Sequence, residues 1–204
     1  MLFGLNVPSA SAGLVATTDG PPLPGPGRTE VAGARWGSRI AVGGGLEQTP
    51  DGGFIATDIL DLFDLASQTW SAGPALPGVR DHAALVTLRG SLYLVGGYAA
   101  TLAAPTAEVW RLDAPDGEWQ RVAELSTPRA ALSVVAVRGR LFAIGGANAS
   151  GVLSTTEVYD PKTGEWSPGP ELAIPREHTG ATVVGNRVYV GSETGGLRCL
   201  TGTK

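Results

Sequence analysis

Four arginines at matching places carry the clearest candidate chemistry in this sequence. In the three complete cases, the first glycine of a glycine pair follows the arginine after 15, 16 and 16 residues. A guanidinium fork suits carboxylates and other oxyanions. These candidate ligand-binding residues are Arg28, Arg80, Arg129 and Arg176. The alternative, which the sequence leaves open, is that each arginine pairs with a carboxylate or a strand-end carbonyl of its own segment.

Two histidines belong to the same candidate ligand-binding set. His82 and His178 each lie two residues after a repeated arginine, and the chain has no other histidine. Imidazole is a common metal ligand, but these two lie in different repeats and the single cysteine, Cys199, adds no cluster to them. The sequence therefore predicts no metal site and no cofactor.

The glycine pairs resemble phosphate-binding loops only superficially. A phosphate cradle needs a glycine-rich loop that opens a helix, and no helical pattern follows here. The pairs mark strand ends where two backbones approach closely; they are Gly43–Gly44, Gly96–Gly97 and Gly145–Gly146. Because no nucleophile–base pattern stands out either, the sequence favours a binding protein over an enzyme.

Composition narrows the possible partners. The net charge is −4, and no run of like charge exceeds two residues, which argues against a nucleic-acid surface. No apolar stretch approaches the roughly 18 residues of a membrane span. Residues 1–5 lack the basic residues of a secretory signal. This favours a cytoplasmic location over a secreted or periplasmic one, although the lone cysteine leaves the redox compartment open.

The chain repeats itself with a period of close to 50 residues. The glycine pairs recur at intervals of 53 and 49, and Trp70, Trp119 and Trp166 recur at 49 and 47, each followed by a leucine six residues later. Short apolar runs bounded by glycine predict four strands per unit and almost no helix. The third strand carries an aromatic residue such as Tyr159. We expect the three tryptophans to pack between units, and Trp36, outside the pattern, to be exposed.

This order of arginine, strand, double glycine, Glu-Val-Tyr-Asp, turn and tryptophan resembles the kelch repeat over nearly the whole chain. The resemblance implies an all-β, kelch-like β-propeller with one four-stranded blade per repeat of about 50 residues. The units are 28–77, 80–128, 129–175 and a split unit of 176–204 plus 1–24. In the split unit we expect residues 1–7 as the third strand and 14–24 as the fourth. The chain is then either a closed four-bladed ring or a fragment of a larger propeller.

The resemblance also implies a place for function. The first strand of a propeller blade is innermost, so the four arginines would ring one mouth of the channel, surrounded by the loops 45–57, 98–107 and 147–156. We therefore expect a binding scaffold for a protein, an acidic peptide or a small anionic ligand, with neither nucleic acid nor membrane as partner. The alternative is a sugar-acting enzyme similar to sialic-acid mutarotases (N-acetylneuraminate epimerases). A copper enzyme similar to galactose oxidase is disfavoured, because both histidines hold repeat positions.

Overall fold

The computed structural model describes residues 3–4, 18–191 and 198–200. These residues form strands and turns and no helix, as the short apolar runs between glycines predict. It follows that no helix able to cross a lipid bilayer occurs in this part of the chain. The all-β prediction is confirmed.

In the part of the chain that the structure describes, the four main antiparallel sheets follow one another, each with its strands in sequence order. Sheet 1 consists of Ala32–Trp36, Arg39–Gly43, Leu60–Asp64 and Thr69–Ala72. Sheet 2 consists of Ala84–Leu88, Ser91–Val95, Val109–Leu112 and Gln120–Arg121. Sheet 3 consists of Ser133–Val137, Arg140–Ile144, Thr156–Asp160 and Glu165–Pro168. Sheet 4 contains Gly180–Val184, Arg187–Gly191 and Arg198–Leu200.

In sheets 1 to 3, a small hairpin leaves each sheet between its second and third strands. Hairpin 1 pairs Leu46–Gln48 with Phe54–Ala56 and takes Arg28–Thr29 as an additional strand. Hairpin 2 pairs Tyr98–Ala100 with Ala103–Pro105, and hairpin 3 pairs Ala147–Asn148 with Gly151–Val152. These hairpins occupy the segments that were expected as loops around the channel mouth.

The apolar core lies between neighbouring sheets. Leu60 and Leu62 of sheet 1 pack with Leu92 of sheet 2, and equivalent clusters join sheets 2 and 3 and sheets 3 and 4. The leucine that follows each repeated tryptophan by six residues is buried in these clusters. The first strands of successive sheets contact one another, so they lie innermost. Sheets that pack face to face around inner first strands are the blades of a β-propeller.

The two ends of the chain follow the predicted split unit only in part. Phe3–Gly4 pairs with Thr18–Asp19, while Arg198–Leu200 takes the third place in sheet 4, where residues 1–7 were expected. This is a correction, and its reason is that strands close in sequence pair most readily. Residues 1–2, 5–17, 192–197 and 201–204 lie outside the described residues, so the joining of 1–24 to 176–204 in one blade stays a prediction.

The repeated tryptophans connect each unit to the one before it. The indole Nε1 of Trp166 donates to the carbonyl oxygen of Ala123 at 2.8 Å, and Trp119 does the same to Pro74 at 3.4 Å. Trp70 donates to Pro21 at 3.2 Å. Pro21 thus holds the place of Pro74 in a unit that precedes sheet 1. The sequence agrees, because Gly-Pro-Pro-Leu-Pro at 20–24 matches Gly-Pro-Ala-Leu-Pro at 73–77.

Trp36 is buried, and the prediction that it is exposed is wrong. Its side chain is 6% exposed and its Nε1 donates to the carbonyl oxygen of Gly90 in the next sheet at 2.6 Å. Trp36 ends the first strand of sheet 1, at the place that Leu88 and Val137 hold in sheets 2 and 3. This inner position buries it, whereas the phased tryptophans stay half-buried on or beside the outer strands.

The double glycines allow the next unit to approach. A Cβ on Gly96 would lie 2.5 Å from the carbonyl oxygen of Arg129, and one on Gly145 would lie 2.4 Å from that of Arg176. The matching glycine in unit 1 is Gly44, whose Cβ would meet the Arg80 oxygen at 2.3 Å. The structural pair there is Gly44–Gly45, which corrects the predicted Gly43–Gly44. Gly43 holds the strand-end place that Val95 and Ile144 hold elsewhere.

Candidate functional site

Three of the four repeated arginines are buried in ion pairs within their own units. Arg129 Nη2 lies 2.7 Å from Glu157 Oε1, and Arg28 and Arg80 pair in the same way. Their partners are third-strand carboxylates in matching positions, namely Asp61, Glu108 and Glu157. The side chains of Arg28, Arg80 and Arg129 are 1%, 5% and 0% exposed.

The Arg129 side chain makes hydrogen bonds to backbone carbonyl groups in addition to its ion pair. Its Nη1 donates to the carbonyl oxygens of Gly145 at 2.9 Å and Thr155 at 3.0 Å. Glu157 in turn accepts from the backbone N–H groups of Ser126 at 2.6 Å and Thr127 at 3.1 Å. Burial lowers the pKa of the Arg129 guanidinium, and the charge of Glu157 opposes that shift. The ion pair therefore ties the start of the first strand to the double glycine and the third strand.

This placement differs from the expected ring of ligand-binding arginines. Local pairing, the alternative that the sequence left open, describes Arg28, Arg80 and Arg129, because each guanidinium faces a carboxylate inside its own unit. The side chain of Arg176 is buried as well. Guanidinium groups so enclosed do not face a ligand in solution.

The residues two positions after the arginines lie side by side near the propeller axis, on the inner side of the four sheets. We call this set the axial ring: Glu30, His82, Ala131 and His178. All four have left-handed backbone conformations, with φ between 47° and 54°. A chain of backbone hydrogen bonds links them, from His82 N to Glu30 O at 3.3 Å, Ala131 N to His82 O at 2.8 Å and His178 N to Ala131 O at 2.9 Å. Since Ala131 shares the conformation, the turn belongs to the repeat.

The polar side chains of the axial ring meet at the axis. His82 Nε2 lies 3.4 Å from Glu30 Oε2, and the His82 and His178 rings meet edge to face with centroids 5.1 Å apart. One potential ligand atom from each of Glu30, His82 and His178 lies within 4.8 Å of the other two. Both histidines are candidate residues from the sequence alone, but their spacing predicts neither their contact with each other nor the place of Glu30 beside them. Their common phase, two residues after each arginine, was the signal that could have predicted the cluster.

A buried carboxylate orients His82. Asp81 Oδ1 lies 2.7 Å from His82 Nδ1, and its side chain is 0% exposed. The other oxygen, Asp81 Oδ2, accepts from the backbone N–H of Leu102 at the tip of hairpin 2, at 3.2 Å. With Nδ1 held by Asp81, the Nε2 atom of His82 is the one that faces the axis. Tyr98 packs its ring edge against His82, and burial raises the pKa of this phenol.

The three hairpins make one surface beside the axial ring. The backbone N–H of Ala56 in hairpin 1 donates to Thr101 Oγ1 in hairpin 2 at 3.1 Å, and hairpins 2 and 3 are in contact. Exposed apolar side chains lie on every hairpin, with exposures of 42–54%; they are Phe54, Ile55, Leu102 and Val152. We call this surface the hairpin face.

A separate cavity of about 400 Å³ lies away from the hairpin face, at the turn ends of sheets 3 and 4. Basic side chains line it together with apolar ones such as Phe142 and Val188. The basic residues are Arg89, Arg138, Arg140 and Lys162. Arg140 is paired with Asp160 at 2.8 Å, so part of this charge is neutralised locally. We refer to it as the basic cavity.

Comparison with known proteins identifies the family. A family model described as the KLHDC2/KLHL20/DRC7 Kelch-repeats domain matches residues 5–200. The chain belongs to the kelch-repeat family. The resemblance drawn from the arginine, double-glycine and tryptophan spacing is thereby confirmed.

Several kelch proteins are similar to this chain. It is 26% identical over 175 residues to Kelch-like protein terF of Aspergillus terreus, which covers 80% of this chain and 38% of that protein. It is 32% identical over 134 residues to human Kelch-like protein 33, covering 62% of this chain and 24% of that protein. Alpha-scruin of Limulus polyphemus is 28% identical over 172 residues, covering 80% of this chain and 18% of that protein. The kelch chain thus spans well under half the length of these relatives.

Proposed function

We propose that this kelch domain is a binding scaffold whose hairpin face docks a protein partner. The observation that carries the proposal is the row of exposed apolar side chains, with at least one on each of three contacting hairpins. Exposed apolar groups that cluster on a rigid scaffold are typical of interaction surfaces. At the bases of hairpins 2 and 3, the backbone N–H groups of Gly97 and Gly146 donate to carbonyl oxygens of the next unit, which fixes these hairpins to the blades.

The charges of the hairpin face favour a basic partner over the acidic peptide expected from the sequence. The repeated arginines are enclosed in the blades, whereas hairpin 1 carries the exposed carboxylate of Asp51 and the partly exposed carboxylate of Glu47. Complementary charge across an interface favours association and register. We therefore propose a partner segment that presents apolar side chains flanked by lysine or arginine.

Selection from a random peptide library displayed on phage tests this proposal. We expect peptides selected on the wild-type chain to combine apolar and basic residues, and to lose binding to the double variant Ile55→Ser/Leu102→Ser. The matched control is Leu65→Ser/Val184→Ser, which changes two exposed apolar side chains outside the hairpins. Peptides that bind the hairpin variant as well as the control, or that are consistently acidic, would contradict the proposal.

A small anionic ligand is the second candidate, and the basic cavity is the feature that favours it. Four basic side chains line that cavity, whereas three of the repeated arginines are already paired with carboxylates. The sugar-acting enzyme similar to sialic-acid mutarotases would need such a site for its acidic sugar. Titration of N-acetylneuraminate against wild type and Arg138→Ala tests whether the cavity binds a small anion and whether it accepts an acidic sugar. If Arg138→Ala leaves the affinity for N-acetylneuraminate unchanged, the basic cavity is not the binding site.

A further inference from the structure

We propose that the axial ring binds a divalent cation of the zinc type, with Glu30, His82 and His178 as its three protein ligands. This inference goes beyond the proposed protein binding and does not depend on it. Two imidazoles and a carboxylate are nitrogen and oxygen donors that suit Zn²⁺. The three residues come from three different units, and the propeller geometry brings them together.

The spacing of the donor atoms fits a small tetrahedral cation. Two ligand atoms at about 2.0–2.1 Å from a tetrahedral Zn²⁺ lie about 3.3–3.4 Å apart. Glu30 Oε2 and His82 Nε2 are already 3.4 Å apart, and the third donor lies within 4.8 Å of both. The His178 side chain is 51% exposed and that of Glu30 is 43% exposed, so both have room to adjust.

The surroundings of His82 are those of a metal ligand. Metal-binding histidines usually donate their second ring N–H to a carboxylate, which fixes the ring and raises the basicity of the donor nitrogen. Asp81 holds His82 Nδ1 in this way at 2.7 Å and is itself held by the Leu102 backbone N–H. Asp81 is therefore a positioning residue for the site.

Local charge also favours a cation. Carboxylates of Glu30, Asp81 and Glu177 lie beside the two imidazoles, with Glu177 Oε2 3.8 Å from His178 Nδ1. The fourth member of the ring, Ala131, offers no donor atom from its side chain. Three protein ligands leave one tetrahedral position for water or for a group of a bound molecule, an arrangement found in catalytic and exchangeable zinc sites.

Calorimetric titration of Zn²⁺ into the chelator-treated chain tests the site. We expect one Zn²⁺ per chain, no comparable binding of Mg²⁺, and a rise in Tm on addition of Zn²⁺. Asp81→Asn should weaken binding about 10–100-fold, as expected for a positioning residue, and His178→Ala and Glu30→Gln should weaken it at least as much. Titration with Co²⁺ supplies a second readout, the visible absorption of a tetrahedral site.

The variants are chosen so that loss of fold does not imitate loss of the site. Glu30 and His178 are exposed, and far-UV circular dichroism of their variants should match wild type. Glu165→Gln, an exposed carboxylate on the outer strand of sheet 3, should bind Zn²⁺ like wild type. Absence of one-to-one binding overturns the proposal. So does an affinity that His178→Ala and Glu30→Gln leave unchanged, or one that Glu165→Gln lowers equally.

Discussion

The repeated arginines and the axial ring lie two residues apart in every unit, but their surroundings differ. Arg129 is enclosed, and its main ion-pair partner, Glu157, belongs to the same unit. His82 reaches the axis, where it meets Glu30 of the preceding unit and His178 two units further on. A partner within the unit makes a repeated residue part of the blade. Partners from other units create a site that only the assembled units possess.

The largest effect should come from breaking an ion pair of the arginine layer. Arg129→Met leaves Glu157 without its buried cation, which should lower the free energy of unfolding by about 3–5 kcal/mol. Urea denaturation measures this loss. Arg35→Met is the matched control, because Arg35 is exposed and donates to the carbonyl oxygen of Gly37; it should cost no more than about 0.5 kcal/mol. Equal losses would mean that the buried pair does not stabilise the blade.

Trp36 tests whether burial or repeat phase decides the role of a residue. It lies outside the phased set yet is buried between sheets 1 and 2, so Trp36→Ala should cost about 3 kcal/mol or more. Trp166→Ala should cost less, because Trp166 is half-buried. Urea melts of both variants provide the comparison. If Trp36→Ala lowers the free energy of unfolding less than Trp166→Ala does, repeat phase predicts the structural role of a tryptophan better than burial does.

The close approach at the double glycines should have an intermediate effect. Gly96 and Gly90 both have positive φ, at 61° and 89°, but only at Gly96 would a Cβ collide with a neighbouring carbonyl oxygen. We expect Gly96→Ala to be more destabilising than Gly90→Ala by about 1–3 kcal/mol, as for other steric overlaps in packed regions. Thermal unfolding of the two variants isolates the contact between units. If both variants lose the same stability, glycine is required at Gly96 for its positive φ alone and not for the close approach of the next unit.

The smallest effect is expected at a half-buried carboxylate, that of Asp160, which ends the third strand of sheet 3. The backbone N–H of Lys162 and the Arg140 guanidinium lower the pKa of Asp160. Because this folded-state pKa lies below the unfolded value of about 3.9, the contribution of Asp160 is present above that pH and is lost as the pH falls through the folded value. Asp160→Asn should therefore flatten the decline of Tm below about pH 4. If Tm of Asp160→Asn falls with pH as it does in wild type, the ionised Asp160 does not contribute to stability.

Much of the fold could be predicted from the sequence, because its evidence is local. Short apolar runs between glycines indicate strands, and the recurrence of tryptophan, leucine and double glycine indicates repeated blades. The structure confirms strands near the predicted places and sheets in sequence order. The register of Gly44–Gly45 and the burial of Trp36 were predicted wrongly. Both depend on the neighbouring sheet, whose position a linear spacing does not contain.

For the candidate site, too, the local features could be predicted from the sequence, and the contacts between units could not. The sequence by itself determined which residues recur, including the arginines, His82 and His178, because each repeat builds the same local turn. Only the tertiary structure decided that Arg28, Arg80 and Arg129 face carboxylates of their own blades, while Glu30, His82 and His178 converge at the axis. The physical reason is that the units curve around one axis. Residues some fifty or a hundred positions apart thereby come within contact distance, and the angle between successive blades, which sets that distance, arises from packing between sheets.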